Sequence, residues 1–211
     1  MADDAKTWAL IHEERAGLAD TLSELSSDQW AVASLCAGWT VKLAAAHVLS
    51  GAEQTALKFF GGMAASGFRF NAMMKRDADR LGALSTTEIV DRLQARTSTT
   101  NHPPAPVMAM LGEVVVHGED IRRPLGLNRE VPAAAVVACL EMFKGASFPV
   151  VAKRRIEGLQ LVAADSDWRH GAGPEVRGPG LSLVLAMTGR RPGLEDLAGD
   201  GVATLGSRLA A

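Results

Sequence analysis

The segment Gly112-Glu113-Val114-Val115-Val116-His117-Gly118-Glu119-Asp120 lies late in an apolar run, Val107 to Ile121, that predicts a buried helix. Residues four apart on a helix lie on one face, so the Glu113 carboxylate and the His117 imidazole are expected one turn apart in hydrophobic surroundings. A buried carboxylate without a compensating charge is costly. The spacing therefore predicts that a positive group, such as a metal ion, lies beside this pair.

A second apolar helix is predicted to begin after Thr40, a favourable N-cap, and to run to about Phe60 with His47 on its inner face. Divalent ions such as zinc bind imidazole nitrogen and carboxylate oxygen, and catalytic sites often combine three protein ligands with one open position. His47, Glu113 and His117 would form such a site in the interior of a helical bundle. A metal held there lowers the pKa of a bound water or thiol.

The same residues allow a simpler interpretation. A Glu-x3-His pair often arises by chance, and Glu113 could pair with Arg122, Arg123 or a lysine while His117 is a hydrogen-bonded core residue. Asp120, just under one turn past His117, is placed to orient His117 or Arg123 through a hydrogen bond. Spacing alone leaves the metal site and the ion pair both open.

Composition excludes several classes of protein. The chain has 211 residues, 47% hydrophobic and 22% charged, with a formal net charge of -2, which argues against a general nucleic-acid or membrane-surface binder. No apolar stretch reaches the roughly 20 residues of a membrane span, and the acidic N-terminus does not resemble a signal peptide. Only Cys36 and Cys139 are present, too few for a disulfide framework, so we expect a reduced, cytoplasmic protein. Cys36 precedes a helix start, where a thiolate is favoured, but a small buried residue is the preferred interpretation.

After about Gly145 the residue pattern changes from helical periodicity to partial alternation. This change predicts two domains: a helical bundle over 1–147 and a small α/β domain over 148–211. In the first domain, a loop or mobile lid is predicted over 61–72. In the second, residues 156–164 partly alternate between apolar and polar and predict a strand. A second short strand is predicted over 174–177 and an apolar helix over 180–188. The fold class predicted from these elements is α+β.

Two motifs resemble a known family. Cys36-Ala37-Gly38-Trp39-Thr40-Val41, followed by His47, is similar to the start of the second helix in the DinB-like superfamily. Glu113-Val-Val-Val-His117-Gly118-Glu119-Asp120-Ile121-Arg122-Arg123-Pro124-Leu125-Gly126 resembles its actinobacterial branch, the mycothiol-dependent maleylpyruvate isomerase family. Shorter matches continue to Gly189-Arg190 and Leu197-Ala198-Gly199-Asp200-Gly201, so the resemblance spans nearly the whole chain. One departure is Leu43, where family members usually carry an acidic residue that completes a capping box with Thr40.

The resemblance implies a DinB-like four-helix bundle followed by a small C-terminal α/β domain. It implies a divalent metal, typically zinc, held by a histidine of helix two and a Glu-x3-His or His-x3-His pair of helix four, positions that correspond here to His47, Glu113 and His117. It also implies mycothiol as cosubstrate. A C-terminal arginine serves the substrate carboxylate in the isomerase; Arg190 is the nearest match, with Arg191 as the alternative.

The function predicted from residues and resemblance together is a divalent-metal-dependent enzyme that activates a low-molecular-weight thiol for isomerisation or for transfer to a small electrophile. Its partners would be that thiol and a small-molecule substrate, with a homodimer as a candidate assembly. The alternative is a non-catalytic module that binds a metal or a small molecule, because fold resemblance does not fix function. A third hypothesis is a dimerising helical protein without a metal, in which Glu113 belongs to a core ion pair.

Overall fold

The computed structural model describes residues 2–209, and side-chain surroundings for residues 4–209. The chain forms two compact units, Met1–Glu130 and Val131–Ala211. The first unit is helical and the second combines helices with a three-stranded sheet, so the predicted α+β class is confirmed. The helix Ala133–Phe143 belongs to the second unit. The domain boundary predicted between residues 147 and 148 stays a prediction.

The first unit is built around four helices. Its elements are α1 (Ala2–Ser23), α2 (Ser27–Ala31), α3 (Val41–Glu53), α4 (Ala56–Ala65), α5 (Phe70–Gly82), α6 (Thr86–Gln94), α7 (Val107–Arg122) and a 3-10 turn (Arg123–Leu125). Helices α1, α7, α3 and α6 contact one another in a closed ring, α1 on α7, α7 on α3, α3 on α6 and α6 on α1. This ring is the predicted four-helix bundle, and α5 packs against α3.

The starts of α3 and α6 follow the predicted capping chemistry. The Thr40 hydroxyl accepts a hydrogen bond from the Leu43 backbone N–H at 3.3 Å, so the N-cap of α3 works without an acidic residue at position 43. Ser85 and Glu88 form the complete capping box that their spacing predicts.

Two predictions about the segment after α3 are wrong. Helix α3 ends at Glu53 rather than near Phe60, because Gln54 is extended and the Thr55 hydroxyl caps a new helix. The predicted loop or lid over 61–72 is largely helical, formed by the end of α4 and the start of α5. Helix α5 approaches Gly62 so closely that a Cβ at position 62 would lie 3.0 Å from the Met73 sulfur. Glycine is therefore suited to this helical position.

Helices α3 and α7 supply much of the buried interior of the first unit. Ala44, Ala45 and Ala46 of α3 are fully buried, and their small size lets neighbouring helices approach. Leu111 and Val115 of α7 are fully buried as well. Over the described residues, none of the helices combines the length and apolar character that crossing a bilayer requires.

The second unit places a small sheet beside helices. Its elements are α8 (Ala133–Phe143), α9 (Ala152–Arg155), β1 (Gln160–Ala163), β2 (Arg169–Gly171), β3 (Glu175–Gly178), α10 (Gly180–Met187), a 3-10 helix (Arg191–Asp196) and α11 (Val202–Ser207). The sheet order is β2-β1-β3, with β1 antiparallel to β2 and parallel to β3. Strand β2 was not predicted, because it is three residues long, polar and without a buried side chain. The Asp165 carboxylate after β1 accepts a hydrogen bond from the Gly180 N–H at 3.0 Å, which fixes the start of α10 against the end of the strand.

Candidate metal centre

The three predicted ligands lie on two neighbouring turns of facing helices. His47 of α3 and His117 of α7 meet edge to face, with ring centroids 4.7 Å apart. One turn away, Gly51 of α3 lies against Glu113 of α7, so closely that a Cβ on Gly51 would be 2.0 Å from the Glu113 Oε1 atom. Position 47 therefore faces 117 and position 51 faces 113, which means that the two helices run antiparallel. The glycine leaves the space that the carboxylate occupies.

The Glu113 carboxylate is electrostatically unfavourable where it lies. Burial raises the pKa of Glu113 to about 7, and the positive charge of Arg15 on α1 opposes this rise only in part. Arg15 is itself 2% exposed, and its Nη1 donates to the Thr99 carbonyl oxygen at 3.0 Å. A divalent cation beside Glu113 would favour the ionised carboxylate far more strongly than this single guanidinium does.

The arginines that the simpler interpretation assigns to Glu113 approach a different carboxylate. Arg122 and Arg123 both approach Glu119, at 3.8 and 3.2 Å between nitrogen and oxygen. The cation that acts on Glu113 is Arg15, from a different helix. The sequence carried a signal for this contact, because Arg15 lies at helical spacing between Ile11 and Leu18, on the buried face of α1.

His117 is held by a second carboxylate. Its Nδ1 lies 2.8 Å from the Oδ2 of Asp120, which is fully buried. Cys36 Sγ donates to the same Oδ2 at 3.0 Å and lies 3.5 Å from the His117 Nδ1. A carboxylate that accepts a hydrogen bond from Nδ1 fixes the imidazole tautomer and leaves Nε2 for a metal. The expected hydrogen bond between Asp120 and His117 is therefore present, and Cys36 adds a thiol that the preferred interpretation of the sequence had treated as a small buried residue.

One short connection between α2 and α3 contacts both imidazoles. It provides Cys36 on the side of His117, and it provides Trp39, whose ring centroid lies 5.2 Å from that of His47. The connection is joined to the end of α7 by a hydrogen bond from the Leu35 N–H to the Asp120 carbonyl oxygen at 3.1 Å. The Cys-Ala-Gly-Trp motif therefore contacts both histidines of the candidate site, in addition to preceding the start of α3.

The described residues contain a second, more compact set of ligand atoms. Cys36, His117 and Asp120 form the one described group of three His, Cys, Asp or Glu side chains whose ligand atoms all lie within 4.8 Å of one another. The set His47, Glu113 and His117 is less compact, so the assignment of these three as metal ligands stays a prediction. Two imidazoles and a carboxylate nonetheless suit zinc, and the half-buried Glu113 carboxylate, whose pKa desolvation raises, fits a site for a cation.

Arg190 lies in the second unit, immediately before the 3-10 helix. Its Nη1 donates to the Thr188 carbonyl oxygen at 2.8 Å, and its side chain is half-buried. Burial of Arg155 lowers the pKa of its own guanidinium, and the positive charge of Arg190 lowers it further. The neighbouring Arg191 is exposed, and its Nη1 lies 3.5 Å from the Gly206 carbonyl oxygen. The catalytic role predicted for Arg190 stays a prediction.

The fold and the site together define a helical-bundle protein with a candidate His/Glu metal centre between two antiparallel helices. Residues 11–105 match the family model described as the mycothiol maleylpyruvate isomerase N-terminal domain. This match supports the mycothiol-dependent maleylpyruvate isomerase family that the motifs predicted. A search among curated proteins finds no match.

Solved structures agree with this assignment at the level of the fold. The chain is similar to a crystal structure of the mycothiol-dependent maleylpyruvate isomerase, with a TM-score of 0.68 and 17% identity. It is also similar to a mutant of that enzyme in which a histidine is replaced by alanine, with a TM-score of 0.64 and 17% identity. Each alignment covers 93% of this chain and 92% of the other. At this identity the likeness shows a shared fold.

Because Gly51 faces Glu113, a larger side chain at position 51 is expected to displace the Glu113 carboxylate. In Gly51→Ala, the new Cβ would occupy the position of the Glu113 carboxylate, which must rotate away because it is the flexible partner. If Glu113 is a ligand, metal affinity is expected to fall by about 10- to 100-fold, as for other changes that misplace a ligand. Titration with a competing chelator measures this loss. Ser50→Ala on the same helix is the control, and equal affinity in the Gly51 and Ser50 variants would contradict the prediction.

Proposed function

We propose that this protein is a divalent-metal-dependent enzyme that activates mycothiol, or a similar low-molecular-weight thiol, for a reaction with a small electrophile. The observation that carries the proposal is the placement of His47, Glu113 and His117 on two facing turns, together with a half-buried Glu113 whose pKa desolvation raises to about 7. The family domain matched by residues 11–105 supports isomerisation as the reaction, and thiol transfer is the alternative within the same chemistry. A reduced thiol as cosubstrate favours the cytoplasm as the location.

In this proposal each residue has a defined task. His47 and His117 provide imidazole nitrogen and Glu113 provides carboxylate oxygen, with zinc as the expected metal. The bound metal would supply Lewis acidity, which keeps a thiol ionised at neutral pH. Asp120 holds the Nδ1 hydrogen of His117, so that Nε2 stays unprotonated. Arg15 moderates the charge of Glu113.

The substrate side of the proposal involves Arg190. A guanidinium presents a planar set of donors that matches a carboxylate, which suits a substrate with an acidic group. Arg190→Lys keeps the charge and removes this fork, so it is expected to raise KM more than it lowers kcat if Arg190 binds the substrate carboxylate. Arg191→Lys is the matched control, because Arg191 is the other candidate. An effect of Arg191→Lys equal to or larger than that of Arg190→Lys would contradict the assignment.

The metal and its ligands can be tested without knowledge of the substrate. Elemental analysis of the purified protein is expected to give about one zinc or similar ion per chain, and His47→Ala is expected to lose it. If neither the purified protein nor the protein supplied with zinc, cobalt or manganese holds a stoichiometric ion, the proposal fails. Addition of mycothiol to the cobalt form then tests activation, because coordination of the thiol sulfur produces a sulfur-to-cobalt charge-transfer band.

A second ligand set has its own supporting observation. The compact group Cys36, His117 and Asp120 would bind a metal through a thiolate, an imidazole Nδ1 and a carboxylate. A metal held by this group favours the non-catalytic alternative, because its fully buried Asp120 and its thiolate would form a more closed site. The cobalt form distinguishes the two sets before any thiol is added. A sulfur-to-cobalt band that disappears in Cys36→Ser would favour this group, and its absence would favour His47, Glu113 and His117.

A further inference from the structure

Arg122 is the last residue of α7, and two of the three nitrogens of its guanidinium make no hydrogen bond with the described residues. It is 1% exposed, and its Nε donates to the Thr21 hydroxyl at 3.2 Å. Neither Nη1 nor Nη2 is hydrogen-bonded to any described residue, and the nearest carboxylate oxygen, from Glu119, lies 3.8 Å from Nη1. Buried guanidinium groups normally use these donors, so both nitrogens of Arg122 are available to a further acceptor.

A cavity of about 200 Å³ lies beside this guanidinium. Its walls come from the end of α1, the short helix α2, the end of α7 and the chain after the 3-10 turn; the lining residues are Thr21, Glu24, Leu25, Gln29, Arg122, Leu127 and Asn128. The chain reverses at Gly126, which has a φ of 65°, and this turn brings Leu127 and Asn128 to the cavity wall. Gly118 leaves space for the guanidinium, because a Cβ there would lie 2.7 Å from the Arg122 Nη1.

Gln29 presents a donor to the same cavity. Its side-chain oxygen is already used, because it accepts a hydrogen bond from the Ser26 N–H at 2.9 Å in the capping box of α2. The amide NH2 group is therefore the part of Gln29 that remains for a ligand. Asn128 adds a second amide to the lining. Arg122, Gln29 and Asn128 together provide donors for an oxygen acceptor.

We propose that this cavity binds a small monocarboxylate, with Arg122 as the charge partner and the Gln29 amide as a second donor. A guanidinium fork matches the two oxygens of a carboxylate. The exposed Glu24 side chain also lines the cavity, and its negative charge disfavours a doubly charged anion such as phosphate. The site involves none of His47, Glu113 or His117, so it is independent of the proposed enzymatic function.

Binding of acetate to the full-length protein tests this proposal. Isothermal titration with sodium acetate, against sodium chloride at matched ionic strength, is expected to show saturable binding of one acetate per chain. Phosphate is expected to bind at least tenfold more weakly than acetate. Absence of saturable acetate binding, or equal binding of acetate, phosphate and chloride, would overturn the proposal.

Replacement of Arg122 would confound binding with folding, so the informative variant is Gln29→Glu. Glutamate preserves the capping box, because its carboxylate accepts from the Ser26 N–H as the amide oxygen does. It removes the amide donor and adds a negative charge to the cavity, so acetate affinity is expected to fall at least tenfold with an unchanged Tm. Gln94→Glu, at an exposed position of α6, has the same change in net charge and is expected to bind acetate normally. Equal affinity in these two variants would place the acetate elsewhere and overturn the proposal.

Discussion

Glu113→Gln is expected to stabilise the metal-free protein above pH 7 and, at the same time, to abolish high-affinity metal binding. The two effects have one cause, the placement of a carboxylate where only a cation makes its charge favourable. Burial raises the pKa of Glu113 from 4.5 to about 7, against the opposing charge of Arg15. The folded protein therefore binds a proton at Glu113 more tightly than the unfolded chain does.

The direction of the pH effect follows from this difference. Below pH 4.5 the carboxyl is protonated in both states, and it costs the folded state nothing. As the pH rises from 4.5 to about 7, the unfolded chain releases the proton first, so the free energy of unfolding falls across this window. A shift of this size corresponds to about 3 kcal/mol, which is lost in full above pH 7.

Glutamine at position 113 removes the titration and leaves a neutral side chain of the same shape. We expect the variant and the wild type to unfold at similar denaturant concentrations near pH 4.5. At pH 8 the chelated variant is expected to be more stable by up to about 3 kcal/mol, which corresponds to a Tm several degrees higher. Glu13→Gln, at an exposed position of α1, is the control and is expected to show no such divergence. Equal stability of the Glu113 variant and the wild type at pH 8 would contradict the placement of this carboxylate.

Zinc should reverse the order of stability. A ligand that binds only the folded state stabilises the wild type by RT ln(1 + [L]/Kd), about 4 kcal/mol at a thousandfold excess over Kd. The glutamine variant has lost an anionic ligand and is expected to gain little. Thermal unfolding with and without zinc at pH 8 measures the stabilisation by zinc of the wild type and of the glutamine variant. A zinc-induced rise in Tm of the same size in both proteins would exclude Glu113 as a ligand.

Asp120→Asn is expected to lower metal affinity by about 10- to 100-fold, the range found for partners that orient a metal-bound histidine. Asp120 accepts hydrogen bonds from the His117 Nδ1 and from the Cys36 thiol through one carboxylate oxygen. An asparagine can present its NH2 group to this imidazole, which favours the tautomer with hydrogen on Nε2. That hydrogen occupies the nitrogen that a metal would need.

Competition with a chelator measures the affinity of the Asp120 variant for zinc. The control is Asp20→Asn, at an exposed position of α1, which is expected to bind zinc as the wild type does. Cys36→Ser provides a further comparison, because serine keeps a donor to Asp120 and removes the sulfur. If the serine variant retains zinc while the Asp120 variant loses it, Asp120 acts through His117. Unchanged zinc affinity in Asp120→Asn would show that this hydrogen bond does not orient a ligand.

The local chemistry of the chain was sufficient to predict many of its elements. The apolar run that ends near Ile121 predicted α7, and Thr40 and Ser85 marked the starts of α3 and α6. The failures occurred where a local pattern had two solutions. Gly61 and Gly62 indicated a loop, but the close approach of α5 makes glycine suitable within a helix at position 62. Strand β2 has no apolar alternation, and it exists because β1 provides hydrogen-bonding partners for it.

Helical periodicity alone places Glu113 and His117 on one face of α7, because residues four apart on a helix lie one turn apart. Periodicity also places His47 on the inner face of another helix, and the motifs indicate the family whose N-terminal domain model matches residues 11–105. Three contacts follow from the packing of the helices and not from any local pattern: Gly51 faces Glu113, Arg15 is the cation acting on Glu113, and Cys36 shares the carboxylate of Asp120 with His117. Glu113 is 62 positions from Gly51 and 98 from Arg15, and Cys36 is 84 positions from Asp120, so helical periodicity carries no information about these contacts. They depend on the antiparallel packing of α3 and α7 and on the position of α1 beside them, which is set by the burial of all the apolar faces together.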